Sequence, residues 1–259
     1  MLSIRDLSVA SSLVALDAGL SVWMRLGIHR ALLWATARMV VQLVAVGFVL
    51  RFVFGAHSPW LTLLIVVLMT AIAAREAAAR PSRKLTGGLT LAISAGGVGL
   101  ATVLTAGLAL TTAIRPHPWY DPRYAISLTG IILGSVLNAS SLALDGVLGG
   151  VWRERPAIDS RLALGARWSE AVGPLRREAI RRALLPIVNQ MSAAGLITLP
   201  GIMTGQILAG MDPMEAVKYQ ILLMFLLAGA SALAAVTVSG LALARLTDTR
   251  ERLRLDRLK

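Results

Sequence analysis

The sequence contains no cysteine and few charged or aromatic residues. Of its 259 residues, 15% are charged and 5% are aromatic. The absence of cysteine excludes disulfides, thiolate metal sites and thiol nucleophiles. The chain also lacks the G-x-x-x-x-G-K-[ST] phosphate loop, so it does not hydrolyse ATP by that route, and it contains neither H-E-x-x-H nor G-x-S-x-G. We therefore expect neither enzyme activity nor a bound cofactor.

Apolar residues dominate what is present. They make up 56% of the chain, and the mean hydropathy is +0.70. A water-soluble domain of this size cannot cover so much apolar surface with polar residues. The formal charge of +12 would suggest a nucleic-acid partner in a soluble protein. Here the basic residues lie between apolar runs, which indicates loops that face anionic lipid, so we expect membrane lipid and no nucleic acid as the partner.

Seven apolar runs are about long enough to cross a bilayer. They cover residues 7–24, 31–50, 60–79, 89–114, 124–148, 187–210 and 219–246. Most of the 26 Lys and Arg residues fall on the side that holds the C-terminus, and the positive-inside rule places that side in the cytosol. The prediction is an all-α polytopic membrane protein with about seven transmembrane helices and its N-terminus outside. We expect one transmembrane domain over residues 1–259, located in the cell inner (plasma) membrane.

The one long connection, residues 150–186, has the pattern of an amphipathic segment. After Pro174, which suits the first turn of a helix, Leu175, Ala179 and Ala183 form an apolar stripe at helical spacing. This predicts two short helices at the cytosolic face, either as a loop at the lipid headgroups or as a docking element for a cytosolic partner. The residues assigned to docking and coupling are Glu170, Gly173, Arg176, Arg177, Arg181 and Arg182.

Polar side chains inside the apolar runs are the candidates for a transport pathway, because such residues are costly in hydrocarbon. Asp17 and Arg38 lie at similar depths in the first two spans, which predicts a buried ion pair that acts as a structural clamp or as a cargo contact. Asn138 and Asp145 are seven residues apart and share a helix face. Interhelical hydrogen bonding is the alternative explanation for this polar set. The full set of candidates is Asp17, Arg38, Gln42, Asn138, Asp145, Gln190, Met203 and Gln206.

Proline and glycine predict a bend in the sixth span. Pro200 and Gly201 lie near its middle, and Gly201 and Gly205 have the spacing of a close helix contact. The bend is either a packed kink or a hinge for alternating access. Gly130 and Gly134 repeat the spacing on the fifth span. No metal ligand is assigned, because the histidines are expected in loops and no span contains histidine or cysteine.

Five stretches resemble motifs of the FetB family of permeases. They are RMVVQL at residues 38–43, EAAARP at 76–81, LTGIILG at 128–134, LPGIMTGQILAG at 199–210 and AVKYQ at 216–220. Residues 150–186 also resemble the coupling loop of ATP-binding-cassette (ABC) importer permeases, in which a glycine precedes a Leu-Pro pair by about a dozen residues.

The resemblance implies the permease subunit of an ABC transporter that pairs with a separate cytosolic ATPase. Family members in bacteria are implicated in iron export, and plant members in aluminium tolerance with a sugar nucleotide as proposed cargo. We therefore expect a homodimeric exporter of iron or another metal, with an organic solute such as a sugar nucleotide as the alternative cargo. A self-sufficient carrier driven by protons, with Asp17 or Asp145 titrating, is the alternative from another class.

Overall fold

The computed structural model describes residues 4–56, 58–116, 118 and 120–259. In this part of the chain the regular structure is helical, and only isolated β-bridges accompany it. The predicted all-α membrane protein is therefore confirmed. The α-helices within these residues are α1 (Ile4–Trp23), α2 (His29–Ala56), α3 (Pro59–Ala79), α4 (Leu89–Leu108), α5 (Pro122–Arg153), α6 (Arg155–Ala163), α7 (Trp168–Ala171), α8 (Gly173–Ala193), α9 (Gly201–Leu208) and α10 (Pro213–Arg245).

The long helices have the length and composition of membrane spans. Among the described residues, five helical stretches are long and apolar enough: α2, α3, α4 with its flanking turns, α5 and α10. The first predicted span corresponds to α1, whose apolar part, Ser11–Trp23, is shorter. The protein is thus a multi-pass membrane protein, while the count of seven spans and the orientation stay predictions.

The sixth predicted span is not one helix. Helix α8 ends at Ala193, residues 194–200 are not helical, and α9 begins at Gly201. Gly195 has a φ of +86°, and Pro200 caps α9 in an extended conformation with ψ at 137°. Proline also restrains the residue before it to extended conformations. Residues 187–210, predicted as one span with a bend at Pro200, therefore lie on two helices, because the backbone leaves the helical conformation before the proline.

The chain forms two compact units, Met1–Ser58 and Pro59–Lys259. In the first unit α1 packs against α2, and the backbone N–H of Ile28 donates to Ser21 Oγ at 3.2 Å across the turn between them. In the second unit α5 and α10 lie at the centre, and α3, α4 and α8 pack on them. The surface of α2 is mostly exposed and apolar, as expected of a helix surrounded by lipid or by other membrane helices.

Residues 150–186 pack within the second unit. They contain the end of α5, then α6, α7 and most of α8, so the segment has three helices after α5 where two were predicted. Ile158 and Ala171 are fully buried. The predicted stripe is confirmed, since Leu175, Ala179 and Ala183 are buried. The four arginines assigned to docking are exposed, and a cytosolic location of the segment stays a prediction.

Residues 246–259, which we call the C-terminal strap, lie against the same core. Leu246 and Leu258 are buried there. A turn in the strap is organised by Asp248, whose Oδ1 accepts from the backbone N–H groups of Arg250 and Arg252, each at 2.9 Å. The backbone N–H and the guanidinium of Arg252, with the N–H of Arg250, lower the pKa of Asp248 from 3.8 to about 2.

Candidate functional site

Helices α5 and α8 pack antiparallel through glycine. A Cβ on Gly146 would lie 3.0 Å from the Cβ of Ala179, and a Cβ on Gly150 would overlap the side chain of Leu175. The two glycines are four residues apart and share one face of α5, which permits close approach of the helices. This contact sets the register of α8 on α5 and thereby positions the polar residues farther along both helices.

A polar cavity opens beside this contact, and we call it the α5–α8 cavity. Its volume is about 290 Å³, and it is lined by Arg80, Asn138, Ser141, Leu142, Asp145 and Pro186. A smaller space of about 60 Å³ shares Asn138 and Pro186 with it and is lined further by Ser135, Ala139, Ala183, Ile187, Gln190 and Ser231. Polar groups from three helices, α5, α8 and α10, thus converge at one place.

Two hydrogen-bonded contacts join α5 to the segment that follows α3. The Nη1 of Arg80 donates to Asn138 Oδ1 at 2.9 Å. The backbone N–H and the Oγ of Ser82 both donate to Asp145 Oδ1 at 2.8 Å. Hydrogen bonds that involve an ionised group are the stronger ones. Asn138 and Asp145 lie two turns apart, so they fix residues 80–82 along the face of α5.

Three predicted pathway residues therefore come together here, namely Asn138, Asp145 and Gln190. The seven-residue spacing of Asn138 and Asp145 on α5 predicted a shared face, and both line the α5–α8 cavity. Gln190 on α8 lines the smaller space beside it. The sequence did not reveal Arg80 and Ser82 as partners of Asn138 and Asp145. Arg80 belongs to the EAAARP stretch, which was the available signal, but a basic residue at the end of a span is usually only a topology signal.

Two further pathway candidates lie on α9. Met203 and Gln206 are half-buried, and the Oε1 of Gln206 is buried without a hydrogen-bond partner among the described residues. An unpartnered buried amide oxygen is costly and suits a group that binds a solute or water. A Cβ on Gly201 or Gly205 would meet nothing within 4 Å. Within the described part of the chain no tight helix contact forms at these two glycines, and a hinge at Pro200, Gly201 and Gly205 stays a prediction.

The glycine pair predicted to form a tight contact on α5 behaves differently. A Cβ on Gly130 would lie 3.2 Å from the Cε of Met69, but a Cβ on Gly134 would meet nothing within 4 Å. The close contact of α5 is made instead by Gly146 and Gly150. The spacing of small residues therefore predicts close approach only where a neighbouring helix crosses.

The remaining candidates belong to the first unit. Asp17 lies on α1, and Arg38 and Gln42 lie one turn apart on α2, all with exposed side chains. No hydrogen bond or ion pair joins Asp17 to another residue in the described part of the chain, so the predicted buried pair with Arg38 is not observed.

The docking residues have distinct local roles. The Oε2 of Glu170 accepts from the backbone N–H of Arg167 at 3.0 Å, which caps α7. Arg182 donates from Nε to Glu178 Oε1 at 2.6 Å on the exposed side of α8. Arg176 lies beside Gly240 of α10. The exposed arginines of α8, which we call its arginine face, are Arg176, Arg177, Arg181 and Arg182. Glu170 stabilises the short helix that precedes them.

Metal-binding side chains do not cluster in the described residues. No group of three His, Cys, Asp or Glu side chains is found among them. His29 is the first residue of α2 and not part of a loop, and His57 and His117 lie outside the described residues. The α5–α8 cavity offers one carboxylate, an amide, a guanidinium and a hydroxyl, groups that can form hydrogen bonds with a polar solute.

Comparison with known proteins confirms the resemblance found in the sequence. Residues 4–247 match UPF0014, described as an uncharacterised protein family. A UPF0014 membrane protein of Synechocystis is 40% identical over 90% of both chains. The "Probable iron export permease protein FetB" of Escherichia coli is 32% identical over 98% of this chain and 96% of its own length. The UPF0014 membrane protein STAR2 of Oryza sativa is 34% identical over 88% and 78%. No solved structure matches the chain. The chain therefore belongs to the UPF0014 family of membrane proteins.

Proposed function

We propose that the protein is the membrane-spanning permease subunit of an ABC transporter in the plasma membrane, and that it exports iron or another metal. The observation that carries this proposal is the identity of 32% with the E. coli protein named as an iron export permease, which extends over 98% of this chain. The similarity covers 96% of the E. coli protein and is not confined to one motif. Metal export is therefore the first hypothesis for the cargo.

The energy source in this proposal is a separate ATPase. The chain has no phosphate loop, so hydrolysis must occur in another subunit. Helix α8 starts in residues 150–186 with exposed arginines and runs on to Pro186 and Gln190, which line the polar cavities. A force applied to the start of α8 would therefore reach the cavities. Two copies of the chain with two ATPase subunits would give the two-fold assembly that rocks between inward- and outward-open states.

The chemistry of the cavity bears on the form of the cargo. The α5–α8 cavity contains Asp145, Asn138 and Arg80, which are hard oxygen donors and a fixed positive charge. Soft metal ions prefer thiolate or thioether ligands, and oxygen ligands suit harder ions. Beside a guanidinium, a metal ion would be met with its hydration shell or within an anionic complex. This supports transport of a shielded metal species.

Association with the ATPase tests the first half of the proposal. Arg181→Glu with Arg182→Glu should reduce co-purification of the cognate ATPase at least severalfold, because it reverses the charge of the exposed face of α8. The fold should persist, since the pair of Arg182 with Glu178 is exposed and contributes little. Arg51→Glu on α2 serves as the matched control. Unchanged association in the α8 variant would place the docking surface elsewhere.

Reconstitution tests the second half of the proposal, which is the export of iron or another metal. The permease and its ATPase would be placed in liposomes, and ATP hydrolysis measured with ferrous ion, ferric citrate, other divalent metals and a sugar nucleotide. Stimulation by a metal species supports metal export, and stimulation by the sugar nucleotide alone replaces it with an organic solute. Cargo movement driven by a proton gradient without ATP would refute the ABC assignment.

A further inference from the structure

One end of the C-terminal strap pairs with the segment that follows α3. Leu258 and Leu85 form an antiparallel bridge, and both are buried. The backbone N–H of Lys84 donates to the carbonyl of Lys259 at 2.9 Å, and the N–H of Lys259 donates back to the carbonyl of Lys84 at 2.7 Å. Two reciprocal hydrogen bonds over buried leucines fix this end of the strap.

The turn of the strap holds α7. The Oε2 of Glu251 accepts from the backbone N–H of Trp168 at 2.9 Å. Trp168 is the first residue of α7, where the N–H has no partner within the helix. Its side chain is buried in the same core as Leu246 and Leu258. The carboxylate of Glu251 therefore ties the strap to the start of α7, which precedes the arginine face of α8.

The backbone of Glu251 makes this contact unusual. The N–H of Glu251 donates to the carbonyl of Asp248 at 3.0 Å, Thr247 bridges to Leu253, and Glu251 has a φ of +56°. The left-handed position that follows such a turn is the one where glycine is favoured, because a side chain there is strained. Glycine would fit the turn better, but only a side chain with an acceptor reaches Trp168. The residue at this position thus serves the contact and not the turn.

These contacts continue to the α5–α8 cavity. Lys84 and Leu85, which the strap holds, follow Ser82 and Arg80 within a few residues. Ser82 donates to Asp145, and Arg80 donates to Asn138. A continuous series of hydrogen bonds and buried contacts therefore runs from α7, through the strap, to the two polar residues of α5.

We infer that the C-terminal strap is a positioning element for transport, with Glu251 as the positioning residue that links α7 to the polar side chains of the α5–α8 cavity. The inference rests on the proposed function, in that α7 belongs to the segment on which the ATPase acts. Displacement of α7 moves the strap and, through its contacts with Lys84 and Leu85, changes the placement of Arg80 and Ser82 against α5. Such a link is demonstrated only by a perturbation at one end that is measured at the other.

Amide hydrogen exchange of the full-length permease in nanodiscs, without ATPase, tests the link itself. Glu251→Gly removes the carboxylate but suits the positive φ, and Glu251→Gln keeps an acceptor oxygen as the matched control. In the Gly variant, exchange of the Trp168 amide should become about tenfold faster or more, as expected for loss of a hydrogen bond to a charged group. Exchange of the Ser82 amide, which donates to Asp145, should also become faster. The Gln variant should stay near the wild type.

Two results would overturn the inference. Unchanged exchange at Trp168 in Glu251→Gly would show that the carboxylate does not hold α7. Faster exchange at Trp168 with unchanged exchange at Ser82 would show that the strap holds α7 but passes nothing to the cavity. Neither result depends on an ATPase, so failure of the proposed function is separable from failure of the link.

The complex with the cognate ATPase gives the functional readout. For Glu251→Gly we expect association and basal ATP hydrolysis within about twofold of wild type, because the arginine face of α8 is untouched. Cargo moved per ATP hydrolysed should fall severalfold, and Glu251→Gln should restore it. Wild-type coupling in the Gly variant would contradict the positioning role. Absence of any association between the wild-type permease and the ATPase would instead refute the proposed function.

Discussion

Gly146 of α5 faces Ala179 of α8 across the contact that frames the α5–α8 cavity. A Cβ at position 146 would lie 3.0 Å from the Cβ of Ala179 and 3.3 Å from its Cα. Because the second atom belongs to the backbone, α8 itself must shift to admit a methyl group. We expect Gly146→Ala to cost about 1–3 kcal/mol through overpacking. Helix propensity returns about 1 kcal/mol of this loss.

Gly134→Ala on the same helix is the matched control. A Cβ there meets nothing within 4 Å, so this variant keeps the gain in helix propensity without the clash. The two variants should therefore differ in the free energy of unfolding by about 1–3 kcal/mol. The swap Gly146→Ala with Ala179→Gly moves one methyl group across the contact. It should recover most of the loss, since the volume is conserved and the two propensity changes cancel.

The free energies would be measured by SDS titration of the detergent-solubilised protein, followed by far-UV circular dichroism. Interacting pairs give a non-additive energy in a double-mutant cycle, and this pair should do so. Equal stability of Gly146→Ala and Gly134→Ala would refute the reasoning. Failure of the swap to recover stability would show that position 146 is destabilised for a reason other than contact with Ala179.

Three other perturbations have defined outcomes. Asp145→Ala should lower the free energy of unfolding by about 1–3 kcal/mol, because two donors lose their acceptor. Ser82→Ala should cost less, because the backbone N–H of residue 82 still donates to Asp145. Equal costs of the two variants in the SDS titration would contradict this. The ionised carboxylate of Asp248 stabilises the strap above pH 3.8, and this contribution is lost as the pH falls from 3.8 to about 2 and the carboxylate is protonated. Exchange of the amides of residues 250 and 252 should become faster over this pH range. The same pH dependence in Asp248→Asn, which has no carboxylate to titrate, would contradict the assignment to Asp248. Pro200→Ala should change stability by less than about 1 kcal/mol but reduce cargo-stimulated ATP hydrolysis, because α9 is then free to extend backwards; normal stimulation would make the break merely structural.

The parts of the fold that sequence predicts are those with a clear period. The stripe of Leu175, Ala179 and Ala183 repeats every four residues, and the structure buries all three on one face of α8. Asn138 and Asp145 are two turns apart, and both line the same cavity. In each case a helical period converts spacing directly into a shared face, so that no tertiary information is needed.

Hydropathy does not reveal where a backbone breaks. Residues 194–200 are nearly all apolar, so they extend the run that begins on α8. The break depends on Gly195 in a left-handed conformation and on Pro200. Hydropathy does not describe either of these backbone effects. Irregular backbone at membrane depth is tolerated where it is buried in protein or lines a cavity, which only tertiary contacts can decide.

The charge of the C-terminal strap prevented prediction of its structural role. Residues 246–259 are rich in arginine, and this composition is typical of a solvated topology signal. Its structural role depends on Leu246 and Leu258, which are too far apart for one periodic element, and on one carboxylate, that of Glu251. Contacts between segments distant in sequence, such as position 251 with 168, leave no local pattern. They therefore required the structure.

Helix α8 connects two parts of the second unit that pack separately. Ala183 belongs to the core around residues 150–186, whereas Ile187 belongs to the core formed by α3, α4 and the first halves of α5 and α10. Pro186 lies between them inside the helix and lines both polar cavities. Since proline has no N–H, the carbonyl of Arg182 lacks its helical hydrogen bond, and the helix is weakest at this point. Alternating access requires two packed bodies that move about a flexible element. Pro186 weakens the element that belongs to both bodies at the cavity, so in the proposed transporter we expect movement of the arginine-bearing half of α8 to change the shape of the cavity.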